Sequence, residues 1–233
     1  MDNYKVLLLF PESLKIHNRV AFLSTVFQEQ YDEKESIVRD VRWRTKYYDI
    51  KFDIYVDTYD AFEEWAVNFA ADECKELRDV LSGMIFVFED KNHEPVIDCI
   101  KGIIDETFED FTNKFFIGCL FNESTIIEDD LYELNNDLII QNLEIVNWFD
   151  KAGPSMDRVG SERIKEIIDV HPWPCNAQTI KSSQEHVDSK SNDLGSFIAK
   201  LEKAKQKYQT INNNTEAEEF LESMIEELSD MIV

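Results

Sequence analysis

The sequence predicts an α/β domain, a mostly parallel six-stranded sheet with flanking helices, followed by a C-terminal helical tail. Three observations lead there. Continuous apolar runs at residues 5–10, 83–88 and 115–121 read as strands buried on both faces. The stretches between them repeat apolar residues every three or four positions, as amphipathic helices do. Two β-rich runs, 37–43 and 50–56, follow each other with no helix between, which predicts one antiparallel hairpin at a sheet edge.

Taken in order, strand 5–10 precedes a helix carried by Val20, Phe22, Leu23, Val26 and Phe27 and ending near Gln30. After strand 37–43, Ile50, Phe52, Ile54 and Val56 alternate with Lys51, Asp53 and Tyr55, the pattern of a strand with one solvated face. Asp60 is the expected cap of a helix running through Trp65, Phe69, Leu77 and Leu81, with a break near Ala71 and Asp72. Strand 83–88 leads into a helix along Val96, Ile97, Ile100, Ile103, Ile104 and Phe108. Strand 115–121, a helix over 128–142, a strand over 144–149 and a helix over 161–170 complete a domain spanning 1–173.

Residues 174–193 are rich in Ser, Asn, Gln, Asp and Lys, the composition of a flexible polar linker. Beyond it, Leu194, Phe197, Ile198, Leu201, Ala204 and Tyr208 return to a helical stripe among lysines. Thr215, three before Glu218, has the spacing of a capping box. Phe220, Leu221, Met224, Ile225, Leu228 and Met231 then form a second stripe among glutamates. The segment 194–233 is thus a basic helix followed by an acidic one. Its apolar stripes must pack on the domain, on a second copy of the chain or on a different protein.

The 233 residues carry a formal net charge of −24, from 48 acidic and 24 basic side chains. Such a balance repels phosphates and anionic lipid, so direct nucleic-acid binding and membrane insertion are not expected. The N-terminal stretch lacks the pattern of a secretory signal, and no run is long enough to span a bilayer. Four scattered cysteines share no C-x-x-C spacing, which fits reduced thiols and a cytoplasmic location.

The order of elements is that of the Ras/Rab-like GTPases, so the nucleotide motifs are the test. After the first strand a phosphate loop needs glycines and a closing Lys-Ser or Lys-Thr. Residues 11–18 read Pro-Glu-Ser-Leu-Lys-Ile-His-Asn, with no glycine and with Glu12 set against a triphosphate. Asp57 matches the aspartate of Asp-x-x-Gly, but Asp60 stands in place of the glycine. After strand 115–121, Asn122-Glu123-Ser124-Thr125 keeps the asparagine of Asn-Lys-x-Asp and loses the rest. A GTPase-like scaffold without its chemistry is expected, with no catalytic residues, no cofactor and no metal. A divergent nucleotide switch is the alternative.

No other chemistry emerges. His171 and Cys175 flank Pro172-Trp173-Pro174 without a protease signature, and a helix-ending turn explains them better. The carboxylates Glu128, Asp129 and Asp130 lack the alternation and glycine of an EF-hand and suit a helix start. Arg42, Trp43 and Arg44, with Arg39 and Lys46 nearby, form a basic patch in an acidic chain. That patch is either a partner surface or a charge-guarded edge strand.

The degenerate Ras-like domain, the closing Gly160-x-x-Arg163-Ile164 helix ending near Trp173, the polar linker and the tail Phe197-x-x-x-Leu201-x-x-x-Lys205 resemble the alpha- and gamma-adaptin-binding protein family. The resemblance implies a non-enzymatic clathrin adaptor accessory or assembly factor that binds adaptin subunits of AP-1, with AP-2 as the further candidate. It implies a place on clathrin-coated vesicles, Rab-type GTPases as additional candidate partners, and the C-terminal segment as the adaptin-binding part. By position, adaptin contact falls on Phe197, Leu201, Ala204 and Tyr208, then on Phe220, Leu221, Ile225 and Leu228. Self-association through the tail is a further expectation. A fungal branch of the family is named for recombination, so a genome-maintenance role affecting recombination and chromosomal rearrangement stands as another alternative.

Overall fold

The computed structural model describes residues 4–46, 48–89, 94–108, 110–121, 128–151, 158–173 and 178–179. The chain divides after Ile180, and everything from Lys181 to Val233 lies outside the described residues.

The sheet runs β1 (Tyr4–Pro11), β2 (Ile37–Arg44), β3 (Tyr48–Tyr59), β4 (Leu81–Phe88), β5 (Phe115–Leu120), β6 (Leu143–Asn147) and β7 (Gln178–Thr179) in chain order. Its helices are α1 (Ile16–Val26), α2 (Phe62–Ala70), α3 (Lys75–Val80), α4 (Glu94–Thr107), α5 (Glu128–Leu138) and α6 (Gly160–Val170). Across the sheet the order is β2-β3-β1-β4-β5-β6. The pairs β3–β1, β1–β4, β4–β5 and β5–β6 are parallel, and the β2–β3 hairpin is antiparallel, as the sequence predicts. β7, inside the stretch whose composition marks a linker, pairs antiparallel with Tyr48 and Asp49 of β3.

Alternation along the central strands divides the core between two faces. Val6, Leu8 and Phe10 of β1 face α1 and α6, packing with Phe22, Leu23, Ile164 and Ile168. Leu7 and Leu9 face the other way, toward Phe62 and Phe69 of α2 and Ile97, Ile100 and Ile104 of α4. Helices on both faces are what allows these strands to be apolar throughout.

Several expectations need correction. Asp60 caps nothing: α2 starts after Ala61, with no side-chain cap bond. The break expected near Ala71 and Asp72 is present, as a 3-10 turn at Asp72–Cys74 between α2 and the short α3, but the helix does not reach Leu81. Leu81 opens β4, two residues before the expected start, because it is buried beside Lys5 of β1. The helix expected over 128–142 stops at Leu138, and a 3-10 turn, Ile139–Gln141, hands over to Asn142 in the left-handed region at φ 51°. β6 accordingly lies at Leu143–Asn147 rather than 144–149.

α6 is pinned at both ends. Gly160 takes φ 58°, and a Cβ there would lie 2.9 Å from the Trp148 carbonyl, so its backbone must be bare. At the other end, the Trp173 Nε1 donates to the Ile168 carbonyl at 3.1 Å, and its ring stacks on Phe52 with centroids 5.6 Å apart. The Tyr48 hydroxyl donates to the Asp169 carbonyl at 2.5 Å. The helix-ending turn expected at His171 is present, since α6 stops at Val170 and the Trp173 N–H returns to the His171 carbonyl at 2.8 Å.

Candidate functional site

In a GTPase of this topology, nucleotide would lie at the carboxyl ends of β1, β4, β5 and β6. The loop after β1 begins at Glu12, and α1 follows at Ile16. A phosphate cradle turns successive backbone N–H groups toward the anion. Here the carbonyls turn inward instead. The buried Arg19 guanidinium donates from Nε to Leu14 O at 2.9 Å, and from Nη2 to Pro11 O at 3.0 Å and Glu12 O at 2.9 Å. Two loop amides are already engaged, Glu12 N–H to Tyr59 O at 2.8 Å and Leu14 N–H to Pro11 O at 3.0 Å. Ser13 Oγ donates to Glu89 Oε2 at 2.7 Å, and Lys15 points to solvent. A cation of the chain itself thus organises the loop, with the polarity opposite to that of an anion site.

The surroundings agree. A recess of about 470 Å³ opens beside the loop, and Ser13, Asp60, Glu63, Glu89 and Cys99 contribute to its lining. No lysine or arginine lines it among the described residues, so its field disfavours a triphosphate. Asp57 is occupied locally: it accepts the Trp65 Nε1–H at 2.8 Å and the Thr58 N–H at 2.8 Å. Asp60 is exposed. Residues 122–125, where base recognition would lie, are outside the described residues. Among the described residues no group of three His, Cys, Asp or Glu side chains is placed to hold a metal ion. No described helix is long and apolar enough to cross a membrane.

The predicted basic patch is only partly at the surface. Trp43 is buried, its ring 6.0 Å from those of Phe27 and Phe52, and its Nε1 donates to Asp169 Oδ1 at 2.8 Å. The indole face therefore belongs to the core rather than to an exposed patch. Arg42 grips Asp49 with both Nε, at 2.8 Å, and Nη2, while Arg44 Nε stands 3.9 Å from the same carboxylate. The Arg42 hydrogen bond, assisted by Arg44 and Lys51, holds the Asp49 carboxyl below its usual pKa. What faces solvent is the pair of guanidiniums on an edge strand.

All eight tail residues named from the resemblance, Phe197, Leu201, Ala204, Tyr208, Phe220, Leu221, Ile225 and Leu228, lie outside the described residues. In the segment before the tail, Arg163 ties α6 to β6: Nε and Nη2 donate to Glu144 at 2.5 and 2.8 Å, and Nη1 reaches Glu166 at 2.7 Å. Arg19 is the residue that sequence reasoning missed. Its only trace in the sequence is a cation one turn into the helix after a glycine-free loop.

Comparison with known proteins places this architecture among relatives. No protein-family model matches the chain. A protein of Kluyveromyces lactis is 62% identical over all of both chains. One of Vanderwaltozyma polyspora is 30% identical, covering 98% of this chain and 96% of its own length, and one of Saccharomyces cerevisiae is 30% identical over 83% of each. All three carry the name Increased recombination centers protein 6. A crystal structure of yeast Irc6p, described as a novel type of conserved clathrin accessory protein, superposes with a TM-score of 0.64 at 28% identity, covering 75% of this chain and 96% of that one.

Proposed function

The chain belongs to the Increased recombination centers protein 6 family, and on that premise we propose that it is a non-enzymatic clathrin adaptor accessory factor that binds adaptin subunits of AP-1 during vesicle-mediated transport. AP-2 is a second candidate complex, and Rab-type GTPases are candidate partners of the GTPase-like domain. A cytoplasmic protein recruited to clathrin-coated vesicles fits this role, as does the description of yeast Irc6p as a clathrin accessory protein.

The observation that carries the non-enzymatic reading is the converging carbonyls of Pro11, Glu12 and Leu14 on Arg19. Binding a triphosphate there would require expelling a buried guanidinium and reversing three peptide groups, beside the carboxylates of Glu63 and Glu89. What is left is a scaffold that presents surfaces. Beyond it, the stripe of Phe197, Leu201, Ala204 and Tyr208 has the spacing of a helix laid in an apolar groove, with Phe220, Leu221, Ile225 and Leu228 as a second stripe.

The test is affinity capture of adaptin subunits from cytosol, comparing the 233-residue chain, the Leu201→Asp variant and a chain ending at Trp173. Capture by the first alone supports the tail as the binding element. Equal capture by all three moves the contact to the domain, and capture by none removes the adaptor function. Calorimetry with GTP and magnesium addresses the nucleotide alternative, which a measurable heat at micromolar protein would revive.

A further inference from the structure

β2 ends the strand order, and its outer side pairs with no described strand. The hairpin closes through the Thr45 N–H to the Tyr48 carbonyl at 2.9 Å. Stepping back by twos through the register, Trp43 with Ile50 and Val41 with Phe52 are the pairs that exchange ladder hydrogen bonds. Arg42 and Arg44, opposite Lys51 and Asp49, are the intervening residues, so their N–H and C=O groups point to the open edge. The register is irregular between Val38 and Val41, where Asp40 sits at φ 58°. The regular part of this edge, unpaired among the described residues, is therefore the four residues 41–44.

The two faces beside this edge differ in chemistry. On one, Arg42 and Arg44 crowd a single carboxylate, Asp49, while Lys51 lies 3.6 Å from Asp40. Within residues 37–51 five cations, Arg39, Arg42, Arg44, Lys46 and Lys51, stand against Asp40 and Asp49, in a chain whose net charge is −24. On the other face a recess of about 380 Å³ runs beside the strand; Phe27 and Trp43 form its floor, and Gln28, Glu29, Lys165 and Asp169 make much of its wall polar.

We propose that this edge is a docking strand for an extended acidic peptide from a partner protein, in which carboxylates alternate with uncharged residues. A segment hydrogen-bonded to the Arg42 and Arg44 backbone sends successive side chains to opposite faces. One set of side chains, the carboxylates, meets the Arg42 and Arg44 guanidiniums. The other set, the uncharged ones, lies at the recess beside Trp43, where Glu29 and Asp169 disfavour further carboxylates. Charge complementarity with this basic segment favours an acidic occupant over a second copy of the same edge. The residues invoked are those of 37–51 and none from the tail sequence, so the proposal goes beyond the adaptin reading and survives or fails independently of it.

The experiment is fluorescence anisotropy of the 233-residue chain with a fluorescein-labelled eight-residue peptide alternating glutamate and valine. Controls are the same peptide with every second amide N-methylated and a glutamine-for-glutamate version. We expect saturable binding, weakened about tenfold by Arg42→Ala with Arg44→Ala and similarly by N-methylation, and unchanged in Leu201→Asp. Circular dichroism of the double variant reports whether the hairpin still folds. The glutamine peptide, which keeps the strand but loses the charge, gives a second reading that needs no variant. Binding that survives N-methylation is electrostatic attraction without strand addition and overturns the proposal. Absence of binding also overturns it, and self-association of Arg42→Glu with Arg44→Glu would then show that the charges only guard the edge.

Discussion

At the scale of residues, one guanidinium decides what the β1–α1 loop is. Arg19 satisfies three carbonyls with a planar fork that no other side chain reproduces. Arg19→Met leaves those acceptors without their donor, and the expected loss is about 3 kcal/mol of unfolding free energy, read by urea denaturation. Arg19→Lys recovers only part of it. His171 makes a second residue-scale prediction. Its ring is wedged between Phe115 and Trp173, and burial, helped by the Lys114 charge, pushes its pKa down to about 4 from the ordinary 6.5. The folded chain keeps this imidazole neutral while the unfolded chain protonates it, so its contribution is complete above pH 6.5 and is lost as pH falls toward 4. The unfolding temperature should therefore drop across that window, and His171→Gln should flatten the part that this ring contributes.

Elements are where periodicity and packing part company. The apolar repeat from Trp65 to Leu81 reads as a helix with a break near Ala71 and Asp72, because Leu77 and Leu81 keep helical spacing beyond it. In the fold that repeat spans a helix, a 3-10 turn, a short helix and the start of a strand. The Arg78 side chain closes the break, donating to the carbonyls of Phe69 and Ala71, the latter at 2.7 Å. Two glycines separate the same substitution into opposite outcomes. A Cβ at Gly83 of β4 would come within 2.3 Å of the Phe115 ring, so Gly83→Ala should cost about 1–3 kcal/mol through overpacking. Gly102 in α4 has nothing within 4 Å of its Cβ position, so Gly102→Ala should stabilise the chain by up to about 1 kcal/mol. Thermal unfolding of the two variants side by side checks both signs.

For the whole molecule the governing quantity is the charge of −24. Self-repulsion among exposed carboxylates is screened as the Debye length shortens, so the unfolding temperature should rise between 20 and 300 mM salt, concentrations spanning a Debye length of roughly 20 to 6 Å. The same charge bears on the word recombination in the relatives' name. A gel-shift assay at low salt, where electrostatic binding is strongest, should show no retarded DNA, and retention there would turn attention to the cations of the β2–β3 hairpin.

The sequence alone determined the layered α/β plan, because strands apolar on both faces have few solutions other than a helix-covered parallel sheet. It also located the hairpin and the glycine-free loop after the first strand, since both depend on which residues are adjacent in the chain. Tertiary structure decided what adjacency cannot encode. Trp43 reads as part of an exposed basic patch until Asp169, 126 positions away, accepts its indole N–H and Phe27 and Phe52 close over its ring. Arg19 matches no motif in the sequence, and its role emerges only where the loop's own carbonyls turn to meet it. In both cases the partner is chosen by packing at a distance or by the orientation of peptide groups, and local residue pattern carries neither.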